Sequence, residues 1–104
     1  MNKSVWLAFA FAGFVVQSAP GHGQQEPNLG RNLGAACAIC HGTNGVSAGG
    51  SATLAGQSRE QLARALREYR DGKRAATIMH QIAKGYTEEQ IDALAVFFAA
   101  QKAK

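Results

Sequence analysis

The stretch Cys37-Ala38-Ile39-Cys40-His41, written "CAICH", holds both cysteines of a 104-residue chain, three residues apart and followed at once by a histidine. Residues three apart on a helical turn project to the same side, so both thiols can reach one rigid partner. The next residue then carries an imidazole beneath that same partner. A porphyrin with two vinyl groups and a central iron takes two thioethers and a nitrogen ligand, and C-x-x-C-H is the spacing of covalent haem attachment. The other uses of two cysteines explain less. A redox pair does not require the trailing His and normally sits beside a βαβ pattern. Zinc needs further ligands, and the chain has no third Cys. A disulfide closing so short a loop would add little stability.

An iron held this way takes a second axial ligand if it is to change oxidation state with little rearrangement. Downstream of the motif, "ATIMHQ" (76–81) supplies the two candidates, Met79 and His80; Met1 and His22 lie in or beside the leader described next. A thioether favours ferrous iron and raises the reduction potential relative to a second imidazole, which suits an electron carrier. That chemistry favours Met79 and leaves His80 or an open position as alternatives.

The N-terminus reads as a secretory signal peptide, residues 1–23. Lys3 is its positive end, Val5 to Val16 its apolar run, and "QSAPGHGQQ" its small-residue cleavage region. Cleavage after Ala19 would leave Pro20 at the new terminus, so a cut after Gly21 or Gly23 is preferred, with Gly23 favoured. The apolar run falls short of the roughly 20 residues that span a bilayer, so no stable membrane anchor is expected. What remains, residues 24–104, is one small domain of a size that needs a staple such as a cofactor.

The formal charge is +4 and the pI near 9.4, but basic and acidic residues are interleaved. Arg64 and Arg67 stand four residues from Glu60, Glu68 and Asp71, which predicts a solvated helix face laced with ion pairs and argues against nucleic-acid binding.

Three helical patterns joined by Gly-rich connections follow Gln24, with no competing strand pattern. The first has Asn28 as its cap and Leu29, Leu33, Ala36, Cys37 and Cys40 on one face, so both cysteines are expected on the core side. The second starts at Ser58, with Gln61 completing a capping box and Leu62, Leu66 and Tyr69 as its stripe, and stops at Gly72. The third is capped by Thr87 and Gln90, buries Ile91, Leu94, Ala95 and Phe98, and runs to about Gln101. Gly30 and Gly34 leave a groove that Phe97 or Phe98 of the last helix can fill. The connections, residues 42–57 and 73–86, are expected to order around something that is not peptide.

With these residues in view the chain resembles the class I cytochromes c, through "CAICHGTNG" (37–45), "LAGQS" (54–58) and a late Met before a capped C-terminal helix. The run "YRDGKRAATIM" (69–79), continuing as "IAKGYTEEQIDALAVFFA" (82–99), is similar to the cytochrome subunit of flavocytochrome c sulfide dehydrogenase. The resemblance implies an all-α class I cytochrome c fold of about three to four helices, wrapped with Gly-rich loops around one covalent haem c. It implies Cys37 and Cys40 as the haem thioethers, His41 as the proximal iron ligand and Met79 as the distal one. It also implies a periplasmic electron-transfer subunit, not catalytic on its own. That subunit takes electrons from the FAD of a sulfide-oxidising flavoprotein and passes them to a soluble cytochrome or similar acceptor. A free-standing carrier of the same fold is the alternative; a haem sensor or peroxidase would require that neither Met79 nor His80 bind.

Two departures stand out. His80 occupies a position that is usually small in these relatives. No proline follows Pro27, so the carbonyl that orients the His41 ring is expected from a less rigid backbone near Gly49 to Ser51. Lys73 and Arg74 are expected on the rim of the partner-facing surface.

Overall fold

The computed structural model describes residues 12–15 and 26–103, so the expected leader, residues 1–23, lies almost wholly outside the described residues. Among the described residues there are four α-helices, α1 (Leu29–His41), α2 (Arg59–Arg70), α3 (Met79–Ala83) and α4 (Glu88–Ala99), with a 3-10 turn at Thr43–Gly45 and no strand. No helix among them is long and apolar enough to cross a membrane.

Helix α4 is the centre of the fold, packing on α1 along one side and on α2 along the other, while α3 leans on α2. Its expected stripe, Ile91, Leu94, Ala95 and Phe98, is fully buried and joins Leu62 and Ala63 of α2 in the core. Both capping boxes form. The Gln61 N–H donates to Ser58 Oγ (3.1 Å) and the Ser58 N–H to Gln61 Oε1 (3.3 Å); the corresponding pairs at Thr87 and Gln90 are 3.2 and 2.9 Å. Tyr86 precedes the second cap and packs on the core with Ile91, the arrangement of a hydrophobic staple. At the end of α2, Gly72 takes φ +72 and the Lys73 N–H reaches back to the Glu68 carbonyl (2.8 Å), closing the helix where Gly72 marked its stop.

Several expectations change. Asn28 stands at the start of α1, but its side chain makes no capping hydrogen bond, because its backbone (φ −110, ψ 13) is not extended as a side-chain cap requires. Helix α3, inside the connection read as a loop, is too short to show a period. Of the ion pairs expected along α2, only Arg64 to Glu68 forms, at 3.9 Å. Arg67 instead crosses to α4, with Nε 2.8 Å from Glu88 and Nη2 2.9 Å from Asp92, and Arg70 also reaches Glu88.

The groove expected at Gly30 and Gly34 is the seat of α4. A Cβ at Gly30 would collide with the backbone carbonyl of Ala93 and lie 2.9 Å from the Phe97 Cβ. At Gly34 it would come within 3.1 Å of the Phe97 ring and 3.2 Å of Phe98. The face of α1 that meets α4 is therefore Gly30, Leu33, Gly34 and Cys37, a stripe centred on bare backbone rather than on the larger apolar residues. Cys40, a turn beyond Cys37, is exposed while Cys37 is half-buried against the core. The expectation that both cysteines face the core holds for Cys37 only.

Two outcomes test this packing. Gly30→Ala should destabilise by about 1–3 kcal/mol despite its better helix propensity, and Gly34→Ala less, because rings yield more readily than backbone. An unchanged thermal melt for Gly30→Ala would contradict the contact. Hydrogen bonds from Arg67 and then Arg70 hold the Glu88 carboxyl below its ordinary value. Its contribution is therefore present above pH 4.5 and fades as the pH falls through the lowered value. Glu88→Gln should melt slightly earlier than wild type at neutral pH and converge with it in acid.

Candidate functional site

One cavity of about 520 Å³ opens between the helices, a size in the range of small-molecule and cofactor sites. Its apolar wall comes from α2 and α4 and includes Leu62, Leu66, Leu94 and Phe98. Leu66 and Tyr69, expected on a buried stripe, are half-buried: both line the cavity, and Leu66 also packs on the core. Helices α1 and α3 both line this space. Cys37, Cys40 and His41 enter it from α1 and Met79 from the start of α3. All four residues singled out in the sequence thus meet at one place.

His80 does not line the cavity. One residue further round α3, it places its Nδ1 in a buried position with no hydrogen-bond partner among the described residues. The structure separates the two neighbours that the sequence left as rivals.

The His41 ring is oriented by the loop that follows it. Nδ1 lies 2.6 Å from the Ala52 carbonyl, which can only accept, so Nδ1 carries the proton and Nε2 keeps a free lone pair. The acceptor is one residue beyond the expected Gly49 to Ser51. The loop is held by backbone: the Gly45 carbonyl accepts from the N–H groups of Leu54 (2.8 Å) and Ala55 (3.1 Å). Gly42 (φ +84) starts the turn, its N–H closing α1 on the Ala38 carbonyl (3.0 Å). No proline is needed, since these bonds fix the segment from both ends.

Burial pushes the Cys37 thiol above its ordinary value, an effect that a hydrogen bond with Tyr86 partly offsets; burial also raises Tyr86. The two cysteines are free, and no three His, Cys, Asp or Glu side chains converge as a metal site among the described residues. A zinc site would need ligands beyond these two cysteines and His41, and none converge with them among the described residues. Two thiols, an imidazole with a free Nε2 and a thioether around an apolar slot fit a porphyrin iron.

Sequence reasoning missed Tyr86 and Arg74 as cavity residues and misplaced the carbonyl partner of His41 by one residue. A signal existed only for Tyr86, as the hydrophobic residue ahead of the Thr87 cap; a backbone carbonyl leaves no mark in a sequence.

Residues 28–101 match the cytochrome c family. The chain belongs to that family. A cytochrome c carries haem c covalently, and its work is electron transfer; this small chain, with two cysteines, has one such haem. Over 69 residues, 66% of its length, it is 41% identical to the cytochrome subunit of sulfide dehydrogenase of Chlorobaculum tepidum, covering 63% of that protein. Over 98 residues, 92% of its length, it is 34% identical to the thiosulfate dehydrogenase electron acceptor of Thiomonas intermedia, covering 43% of that protein. It is also 36% identical over 70 residues, 64% of its length, to cytochrome c-554(548) of Halomonas halodenitrificans, covering 84% of that cytochrome. The chain therefore spans less than two thirds of the length of the first two relatives. All-α class I architecture is what the helices show.

Gly45→Ala tests the loop that serves His41. At φ +79, with a Cβ 2.7 Å from the Phe98 ring, the substitution should cost about 1–3 kcal/mol in thermal or denaturant unfolding. A neutral outcome would mean that the loop is not held as described.

Proposed function

We propose that this cytochrome c is the periplasmic electron-transfer subunit of a sulfide-oxidising flavocytochrome. It would receive electrons from the FAD of a partner flavoprotein and pass them to a soluble cytochrome or similar acceptor. The observation that carries the site assignment is the meeting of Cys37, Cys40, His41 and Met79 in one cavity. The partner assignment is supported by the 41% identity to a sulfide dehydrogenase cytochrome subunit. Residues 1–23 serve as the export signal and 24–104 form the monohaem domain in this reading.

Haem c supplies a one-electron ferric/ferrous couple when bound. Cys37 and Cys40 hold it through thioethers, and α1 fixes both sulfurs at one turn's spacing. His41 is the proximal ligand: Ala52 engages its Nδ1–H, which leaves Nε2 for the iron and raises its basicity. Met79 is the distal ligand; its soft thioether favours the ferrous state and so a higher potential. Leu62, Leu66, Leu94 and Phe98 exclude water, which keeps the rearrangement on electron transfer small.

A second reading is a free-standing carrier without a flavoprotein partner. It is favoured by the likeness to cytochrome c-554(548), of which the match covers most. The likeness to a thiosulfate dehydrogenase electron acceptor adds thiosulfate as an alternative electron source. Purification from the native host separates these readings. A copurifying flavin-containing chain, with haem reduction by sulfide, supports the first. A monomeric, flavin-free preparation that ignores sulfide contradicts it.

Ligation is tested by substitution. Met79→Ala should lose the thioether-to-iron absorption band of the ferric protein and gain binding of added imidazole and carbon monoxide. Met79→Ala/His80→Ala should behave alike, because His80 is turned out of the cavity. A six-coordinate, imidazole-closed spectrum in Met79→Ala that the double variant abolishes would contradict this. Cys37→Ala/Cys40→Ala should yield haem that acidified organic solvent extracts.

A further inference from the structure

Among the side chains lining the cavity, Arg74 is the one that carries a permanent charge. The sequence placed it on the partner-facing rim, and in the structure it is exposed at the cavity edge and paired there. Its Nε donates to Glu68 Oε2 at 2.8 Å, its Nη2 lies 2.7 Å from the same oxygen, and its Cζ sits 5.4 Å from the centroid of the Tyr69 ring. Tyr69 lines the cavity as well. No ion pair among the described residues uses Nη1. The guanidinium is thus pinned on one edge and against one face, and a second edge with two N–H groups remains for the cavity.

Haem carries two carboxylates, and a carboxylate at the edge of an apolar slot is costly unless it is paired and hydrogen-bonded. A planar guanidinium is the side chain best matched to it. The rest of the lining offers neutral groups only, such as Ser51, Gln57 and Tyr69, and the Gln57 amide already donates to the Thr53 carbonyl at 2.6 Å. We infer that Arg74 is the counter-ion of a haem carboxylate and that Glu68 and Tyr69 are positioning residues that aim it. Fixed beside the prosthetic group, this positive charge also disfavours ferric iron and holds the reduction potential up. The inference rests on haem occupying this cavity, as in the proposed function.

The test uses the holoprotein and three variants, Arg74→Gln, Arg74→Lys and Glu68→Gln. Midpoint potential, carboxylate vibrations by resonance Raman and thermal stability are read for each. Arg74→Gln should lower the potential, moving the equilibrium with a fixed redox mediator toward ferric protein by on the order of three- to tenfold, and should shift the carboxylate vibrations. Arg74→Lys should keep most of the potential yet still shift the vibrations, since a point charge does not reproduce the planar edge. Glu68→Gln breaks the same ion pair but leaves the positive charge, so its potential should stay level or rise.

Arg74 and Glu68 variants that lose the same stability with unmoved potential and vibrations would overturn the inference, reducing Arg74 to a tie between α2 and its following loop. If Arg74→Gln yields no holoprotein, the other two variants decide: unmoved vibrations in Arg74→Lys, or a fall in potential in Glu68→Gln, would overturn it. A failure of the Met79 assignment shows separately, as a wild-type ferric spectrum without the thioether band.

Discussion

The crossing of α1 on α4 at Gly30 is the contact on which the rest of the molecule depends. Bare backbone at Gly30 and Gly34 lets α1 settle against the Ala93 carbonyl and the rings of Phe97 and Phe98. That close seat fixes the direction in which the last turn of α1 points, and the last turn carries Cys37, Cys40 and His41. Any side chain at Gly30 would lift the helix and with it the whole attachment site. The phenylalanines pack edge to face, centroids 5.0 Å apart and planes at 69°, so one surface serves both helix packing and the cavity wall, to which Phe98 belongs.

From this seat the loop after His41 follows by backbone bonds alone. Gly42 turns the chain out of α1, the Gly45 carbonyl gathers Leu54 and Ala55, and the Ala52 carbonyl arrives at Nδ1 of His41. The same construction that holds the loop therefore selects the tautomer of the proposed proximal ligand. On the other side, the ion pairs of Arg67 and Arg70 with Glu88 tie α2 to α4 and so steady the wall on which α3 and Met79 rest. These pairs are solvent-exposed, and their effect is on register more than on stability.

How much of this the sequence revealed varies with the kind of interaction. The capping boxes at Ser58 and Thr87 and the buried stripe of α4 are local patterns, and the structure shows them as read. The haem motif was legible because its chemistry requires that spacing. Asn28 failed as a side-chain cap because the cap depends on a backbone conformation that residue type does not set. Cys40 lines the cavity rather than the contact of α1 with α4, which runs through Gly30 and Gly34, residues that hydrophobic periodicity does not weigh. Arg67 found partners outside the expected helical spacing, since packing brings Glu88 and Asp92 to it, and Arg74, read only as a rim charge, meets Glu68 because the chain reverses at Gly72. Thioether chemistry already favoured Met79 over His80 in the sequence; the rotation of one helical residue that puts Met79 and not His80 on the cavity lining is a matter of geometry.

A family of electron carriers needs an iron whose ligands stay in place in both oxidation states, and the proposed His41 and Met79 pair is the part of this account on which the others converge. X-ray absorption at the iron edge of the ferric and ferrous protein measures that pair most directly. The account predicts one sulfur and five nitrogen neighbours in both states. A shell of six nitrogens without sulfur, or a five-coordinate iron, would contradict it.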